Sequence, residues 1–316
     1  MNKKIVVFGG GTGQSCLLSG LKKFPFDISA VVSVADDGKS TGMLRHDFNI
    51  PGVGDVRRVI VALSDTDSVV ERLVNYRFDG NNSFSGHAMG NIILAALCNI
   101  NDGSLSKGVK SISSLLKIKG SVLPFTDDYA VLTAVMEDGS VVEGESYITK
   151  CDKKIKSISY KNKPRVNNDV ISAIKKCDAI VLSMGSLFTS LVCNLICDEV
   201  INAIDESKCK IIYVCNMMSQ PGETDGYSVS DHVNLINSYL GRRKIDLVIC
   251  NNGDIDEELI VKYATEEQKD PVVIDKDNIE CDLIENDYVS ISNNYIRHNS
   301  VKVAYDIYGY LIDVLK

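Results

Sequence analysis

The chain has 316 residues, 45% of them hydrophobic and 24% charged, a globular composition that excludes disorder or low complexity over most of its length. With 34 basic against 42 acidic residues the net charge is −8, so a general nucleic-acid binder is excluded while a small anion held in one pocket is not. No apolar run approaches the ~20 residues of a membrane span, and the ten cysteines lack the spacing and histidine partners of a zinc site.

Taken in chain order, the first apolar run is Ile5–Phe8. It stops in glycines too soon for a signal sequence and reads as a buried strand, which leaves a soluble, cytoplasmic protein as the expectation. Cys193 and Cys197, four apart, then read as small apolar residues in a reducing compartment. Behind the first strand, Phe8-Gly9-Gly10-Gly11-Thr12-Gly13-Gln14-Ser15 opens a helix over Gln14–Lys23. Such a loop brings backbone N–H groups and a helix N-terminus to an anion, and its GxGxG spacing differs from the GxGxxG of dinucleotide sites. A ligand-free glycine turn is the alternative.

A second strand, Ile28–Ala35, ends in Asp36-Asp37-Gly38-Lys39-Ser40-Thr41-Gly42. At the carboxyl edge of a parallel sheet these aspartates can accept ribose hydroxyls or hold a divalent cation; otherwise the segment is ordinary turn chemistry. Asp36 and Asp37 repel each other unless a cation or hydrogen-bond donors stand between them. Gly54-Asp55-Val56-Arg57-Arg58 begins a helix over Arg57–Ser64 and offers guanidinium groups to a phosphate. After a helix over Ser68–Arg77, Gly86-His87-Ala88-Met89-Gly90-Asn91 opens another over Ala88–Ile100. His87 is the one acid/base candidate, and a capping role is its alternative.

Residues 130–149 alternate around Glu137-Asp138-Gly139-Ser140 and predict a β-hairpin, with Ile155–Tyr160 as a third strand. Residues 101–165 are therefore expected to form a helical and antiparallel insert. Strands at Ala179–Gly185, Lys210–Asn216 and Ile245–Asn251 alternate with helices at Leu187–Ser207 and Ser230–Leu240, and Val301–Leu315 closes the chain as an amphipathic helix. The alternation predicts an α/β fold, a doubly wound, mostly parallel Rossmann-like sheet built from 1–100 and 166–316. Gly185-Ser186 and the long loop Asn216–Gly226 also fall at strand ends, so several polar, glycine-rich loops converge on one edge and point to a phosphate-containing ligand.

Gly-Gly-Gly-Thr-Gly at 9–13, Ala-Asp-Asp-Gly at 35–38, Gly-Asp-Val-Arg at 54–57, Gly-His-x-x-Gly-Asn at 86–91, Gly-Ser-Leu-Phe-Thr-Ser at 185–190, Gln-Pro-Gly-Glu-Thr-Asp-Gly-Tyr at 220–227 and Arg297-His298 occur in this order. Over about residues 3–305 the chain resembles the bacterial gluconeogenesis factor family, relatives of the 2-phospho-L-lactate transferase of deazaflavin coenzyme synthesis. The resemblance implies a Rossmann-like sheet, a cytoplasmic location and a homodimer. It also implies binding of UDP-N-acetylglucosamine, with effects on cell shape and wall synthesis during gluconeogenic growth, and hence a cell-wall synthesis protein as a partner.

Carried over by position, Gly10, Gly11, Thr12, Gly13 and Ser186 would face the diphosphate, Asp36 and Asp37 the sugar-phosphate or a Mg²⁺ ion, and Tyr263 and Arg297 would close over the nucleotide. Gly38, Lys39, Ser40, Gly54, Asp55, Arg57, Gly86, His87, Asn91, Gly185, Leu187, Asn194, Asn216, Thr224 and Asp225 complete the candidate ligand site. Lys39 stands where the family has glycine, Thr41-Gly42-Met43 where it has Ser-Gly-Arg, and Asn299 where it favours aspartate. The transferase branch supplies the alternative function, Mg²⁺-dependent transfer of a phospholactyl-type group from a nucleotide carrier. A nicotinamide-dependent dehydrogenase is the third reading, disfavoured by the glycine spacing.

Overall fold

The computed structural model describes residues 2–65, 68–292 and 294–314. Its frame is a seven-stranded sheet, every strand parallel to its neighbours, in the order β10-β9-β8-β7-β1-β2-β3. The members are β1 (Lys3–Gly9), β2 (Phe26–Val32), β3 (Ser121–Pro124), β7 (Ala179–Leu182), β8 (Lys210–Val214), β9 (Leu247–Asn251) and β10 (Asp282–Asn286). Successive residues of β1 serve opposite faces, Ile5 and Val7 one core, Val6 and Phe8 the other. Burial on both faces is why these strands read as unbroken apolar runs.

On the first face lie α1 (Gly11–Leu21), α3 (Gly54–Leu63), α5 (Met89–Ile100), α6 (Leu105–Leu115) and α12 (Ser300–Val314). On the second lie α8 (Asn168–Lys176), α9 (Asp198–Glu206) and α10 (Val229–Tyr239). The chain winds outward from β1 to β3, then returns to the other edge of β1 at β7. That reversal opens a crevice at the carboxyl ends of β1 and β7, the place where doubly wound sheets bind ligands. Leu315, expected within the closing helix, falls outside the described residues. Among the described residues no single helix is long and apolar enough to cross a membrane.

The segment expected as an insert over 101–165 divides in two. β3 pairs in parallel with β2, and α6 buries Leu105, Val109 and Ile112 in the main core, so both belong to the large sheet. What stands apart is an antiparallel sheet in the order β5-β4-β6, made of β4 (Leu132–Met136), β5 (Val141–Glu143) and β6 (Ile155–Tyr160), with the short α7 (Glu145–Ile148). β3 is a four-residue strand ending in proline, too short to announce itself.

The single helix expected over Leu187–Ser207 is broken into a π-helical turn at Leu187–Leu191, a 3₁₀ turn at Val192–Asn194, and α9. Leu187, Leu191 and Leu195 pack into the core on the second face of the large sheet while Phe188, Val192 and Cys193 pack into the insert's core. A segment buried from both sides has no solvent face to enforce one regular winding. Two further elements complete the frame: α2 (Lys39–Phe48), where the sequence suggested only a turn, and α11 (Glu257–Glu266). The chain then forms an antiparallel hairpin of β11 (Val289–Ser292) and β12 (Tyr295–His298) that returns beneath the crevice. A side chain at Gly20 of α1 would stand 2.0 Å from Ser300 O at the start of α12. Gly20→Ala is therefore expected to destabilise the protein by roughly 1–3 kcal/mol through overpacking, read from the urea midpoint.

Candidate functional site

The glycine loop is shaped by close approach. Gly11 has φ +62, a left-handed conformation, and a methyl group on Gly13 would lie 1.9 Å from Met184 O. The first turn of α1 thus rests directly on the turn that ends β7. Asn216, just past β8, locks that turn: it accepts from Gly185 N–H at 2.8 Å and donates to Gly185 O at 2.7 Å. The ends of β1, β7 and β8 together wall a cavity of about 370 Å³. Gly10, Gly11, Thr12, Gly13, Gly185, Ser186, Asn216, Tyr263 and Arg297 all line it. Across from the loop, the buried Tyr263 hydroxyl accepts from Ile296 N–H at 2.9 Å, and the adjoining Arg297 holds its guanidinium 5.1 Å from the Tyr295 ring centre.

Six further lining residues are not among the candidates: Ser190 and His298 close two of the motifs, Met217, Met218 and Ser219 belong to the loop after β8, and Lys269 alone lies outside every motif. His298 Nε2 lies 3.0 Å from Cys215 O, and burial pushes its pKa down to about 4, so it is a neutral wall group. A larger hollow of about 480 Å³ opens against Lys4, Asp27 and Cys177 at the amino ends of β1 and β2, away from the converging loops.

Behind the glycine loop, carboxylates gather. Asp55 Oδ1 is 2.7 Å from Arg58 Nη1, yet burial and the nearby Asp36 push its carboxyl well above the usual range. Glu145, delivered by α7, is pushed up to about 8, first by burial and then by Asp36, Asp55, Asp37 and Glu223. Burial also raises Glu223, which accepts from Ser186 Oγ at 2.7 Å and from Phe188 N–H at 3.1 Å at the head of the π-helical turn. Near neutral pH Glu145 therefore retains a proton that an ordinary carboxylate has lost.

Asp36 and Asp37 diverge. Asp36 accepts from Gly38 N–H at 2.9 Å and Thr41 Oγ1 at 2.9 Å, whereas Asp37 reaches into the insert and accepts from Ser146 N–H at 2.7 Å. Hydrogen-bond donors on different elements thus satisfy the two carboxylates separately. Among the described residues no group of three or more His, Cys, Asp or Glu side chains is arranged to hold a metal ion.

Several candidate residues are brought elsewhere. His87 lies behind the α2 N-terminus with Nδ1 3.1 Å from Ser40 Oγ; Asn91 Nδ2 donates to the same oxygen at 3.2 Å, and Asn91 Oδ1 accepts from Arg57 Nε at 3.0 Å. Arg57 also donates to Asn75, and burial with the neighbouring Arg58 and Arg77 lowers its pKa to about 10. His87, Ser40, Asn91 and Arg57 thus form one buried network, and neither they nor Gly86 line the cavity.

Gly54 is a close-approach glycine, since a methyl there would stand 2.2 Å from Asp36 Oδ2. Gly38 precedes α2, whose first residue Lys39 is exposed to solvent. Leu187 is core, Asn194 is buried and donates to Ser190 O at 2.7 Å, and Thr224 and Asp225 brace their own loop by accepting from Gln220 N–H and Gly222 N–H. Arg45, also without a motif, is buried and donates to Ala35 O at 2.7 Å, Asp36 O at 3.0 Å and Ala130 O at 2.5 Å, with its guanidinium 4.5 Å from the Tyr129 ring centre.

Fold and cavity together define a Rossmann-like α/β protein whose loops converge at the sheet's switch point. The chain belongs to the 2-phospho-L-lactate transferase CofD family, whose model matches residues 5–289. It is 41% identical over 306 residues to the gluconeogenesis factor of Halalkalibacterium halodurans, covering 96% of this chain and 94% of that one. It is 41% identical over 318 residues to the gluconeogenesis factor of Bacillus subtilis, covering 99% and 98%. A putative gluconeogenesis factor of Thermotoga maritima is 43% identical over 308 residues, covering 95% and 97%. The crystal structure of a Bacillus halodurans protein superimposes with a TM-score of 0.94 at 40% identity, over 97% of this chain and 99% of that chain.

The raised Glu145 carboxyl sets a pH dependence. Its ordinary value of 4.5 applies when unfolded, and about 8 when folded. Between those values the folded state binds the extra proton, so Glu145 subtracts stability progressively as pH rises through the window. Glu145→Gln is expected to match wild type near about pH 5, to exceed it near about pH 8, and to flatten the slope of Tm between them. An unchanged slope in thermal melts would remove this assignment.

Proposed function

We propose that this chain is a nucleotide-sugar-binding regulatory protein, with UDP-N-acetylglucosamine as its ligand and a role in cell shape and wall synthesis during gluconeogenic growth. The observation that carries the binding reading is the cavity itself, where the glycine loop at the β1–β7 crevice faces Arg297 and Tyr263. Backbone N–H groups and a helix N-terminus favour a diphosphate on one side, and a guanidinium supplies charge-assisted hydrogen bonds on the other. That this chain's relatives are gluconeogenesis factors supports the regulatory part.

The raised carboxyls of Asp55 and Glu145 beside the loop favour a second reading, transfer of a phospholactyl-type group from a nucleotide carrier. Groups that keep a proton near neutral pH are suited to general acid work, and the family description names such a transferase. Incubation with UDP-N-acetylglucosamine and, separately, with a nucleotide-linked phospholactate together with a deazaflavin acceptor distinguishes the two. The regulator returns its ligand intact, whereas the transferase moves the phospholactyl group onto an acceptor hydroxyl and releases the nucleoside monophosphate.

In calorimetric titration, with and without Mg²⁺, Arg297→Ala is expected to weaken UDP-N-acetylglucosamine binding roughly 10- to 100-fold, the value of a lost hydrogen bond to a charged group. Tyr263→Phe removes the hydroxyl that holds Ile296 beside Arg297 and is expected to weaken binding by a smaller factor. Wild-type affinity in both variants would defeat the placement.

A further inference from the structure

Lys269 shares the cavity with Arg297, and the roles above do not use it. Its place there is set by the turn that ends α11. Gln268, just beyond α11, is a non-glycine residue with φ +54, and it doubles the chain back so that Lys269 N–H donates to Tyr263 O at 3.1 Å. The side chain then lies with Nζ 5.9 Å from the Tyr263 ring centre and 2.6 Å from Glu267 Oε2. Both members of the ion pair are partly exposed, 28% and 31%, and pairs of this kind add little to stability. The left-handed residue makes the ordinary turn that ends a helix, with Lys269 N–H on the carbonyl six residues back, and it fixes where the lysine side chain leaves the chain.

Tyr263 is the pivot for both cations. Its ring carries Lys269 and its hydroxyl holds the backbone N–H next to Arg297. Lys269 and Arg297 are the lysine and arginine side chains among the lining residues, and the remaining basic group, His298, is neutral. The glycine loop faces them, with the carboxylates gathered behind it. A single phosphate is satisfied by one guanidinium and a helix N-terminus. A second cation has work only if the ligand brings more negative charge, as a diphosphate does.

We propose that Lys269 is the second phosphate-binding cation of this cavity, held by Glu267 in the free protein and passed to a phosphate of a nucleoside diphosphate when one binds. The inference deepens the nucleotide-sugar reading and rests on it for the nucleoside part alone. Replacing the Glu267 carboxylate by a phosphate exchanges one anionic partner for a more highly charged one, so the transfer costs little and makes affinity depend on phosphate number.

The test is titration calorimetry of the full chain with pyrophosphate, UDP and uridine, using wild type, Lys269→Met and Glu267→Gln. Methionine keeps the apolar stem over Tyr263, and a thermal melt verifies that each variant is folded. Lys269→Met is expected to weaken pyrophosphate and UDP roughly 10-fold and leave uridine unchanged. Glu267→Gln, which frees the amine, is expected to tighten both phosphate ligands a few-fold.

Wild-type affinity of Lys269→Met for pyrophosphate and UDP overturns the proposal. So does an equal loss on uridine, which would make Lys269 a support for the Tyr263 ring. If pyrophosphate binding depends on Lys269 while neither UDP nor uridine binds wild type, the nucleotide reading falls and the phosphate-binding lysine stands. If wild type binds no phosphate ligand at all, both are lost.

Discussion

The closeness of α1 to the end of β7 governs this protein. With only hydrogen on the Gly13 α-carbon, the first helical turn settles onto the Met184 carbonyl; a methyl at 1.9 Å would force the two apart. Gly9 is under the same constraint from Ser183 Oγ, which a methyl would meet at 2.1 Å. Because β1 and β7 are adjacent strands where the winding reverses, this contact fixes the mouth of the crevice as well as the packing of the helix. Asn216 extends the fixed geometry to β8 through its paired bonds with Gly185. Position and shape of the cavity are thus consequences of backbone packing, and the side chains around it decorate a rigid rim.

Charge is divided across that rim. Asp36, Asp55, Glu145 and Glu223 lie behind the glycine loop, where burial raises the pKa of Asp55, Glu145 and Glu223 and repulsion from neighbouring carboxylates adds to it for Asp55 and Glu145. Arg297 and Lys269 line the cavity itself, so a ligand entering it meets both cations, with the raised carboxyls outside its lining. The small antiparallel insert belongs to this arrangement. It supplies Glu145, its Ser146 N–H holds Asp37, and its Ala130 carbonyl is tied by Arg45 to the carbonyls of Ala35 and Asp36. Arg45 is buried on carbonyls alone, so it anchors the Asp-Asp-Gly loop to the insert without neutralising the acidic group beside it.

The parts legible in the sequence are those in which one short segment carries its own physical reason. The continuous apolar runs announce strands buried on both faces, and the run of glycines at 9–13 announces a backbone that must come close to something. Alternation around Asp138-Gly139 announces the hairpin, and Gly139 indeed takes a left-handed φ of +83. Motif residues were less informative about facing. His87, Ser40, Asn91 and Arg57 occupy polar, motif-like positions, yet they satisfy one another in a buried network beside the site. A motif records that a residue is constrained, and a hydrogen-bond network constrains as firmly as a ligand does.

By itself, then, the sequence determined the doubly wound class, the edge of the sheet where loops converge, and the glycine loop, while Tyr263 and Arg297 were expected there only through the family resemblance. Tertiary structure alone decided which polar residues share a cavity. Glu145 and Lys269 sit in segments with no local signal, and they reach the site because the insert folds over β2's end and because Gln268 turns the chain back after α11. It also decided the winding of Leu187–Asn194, which depends on two cores pressing from opposite sides, and the protonation of Asp55 and Glu145, which depends on neighbours distant in the chain. Electrostatic repulsion and burial act through space, so no reading along the chain contains them.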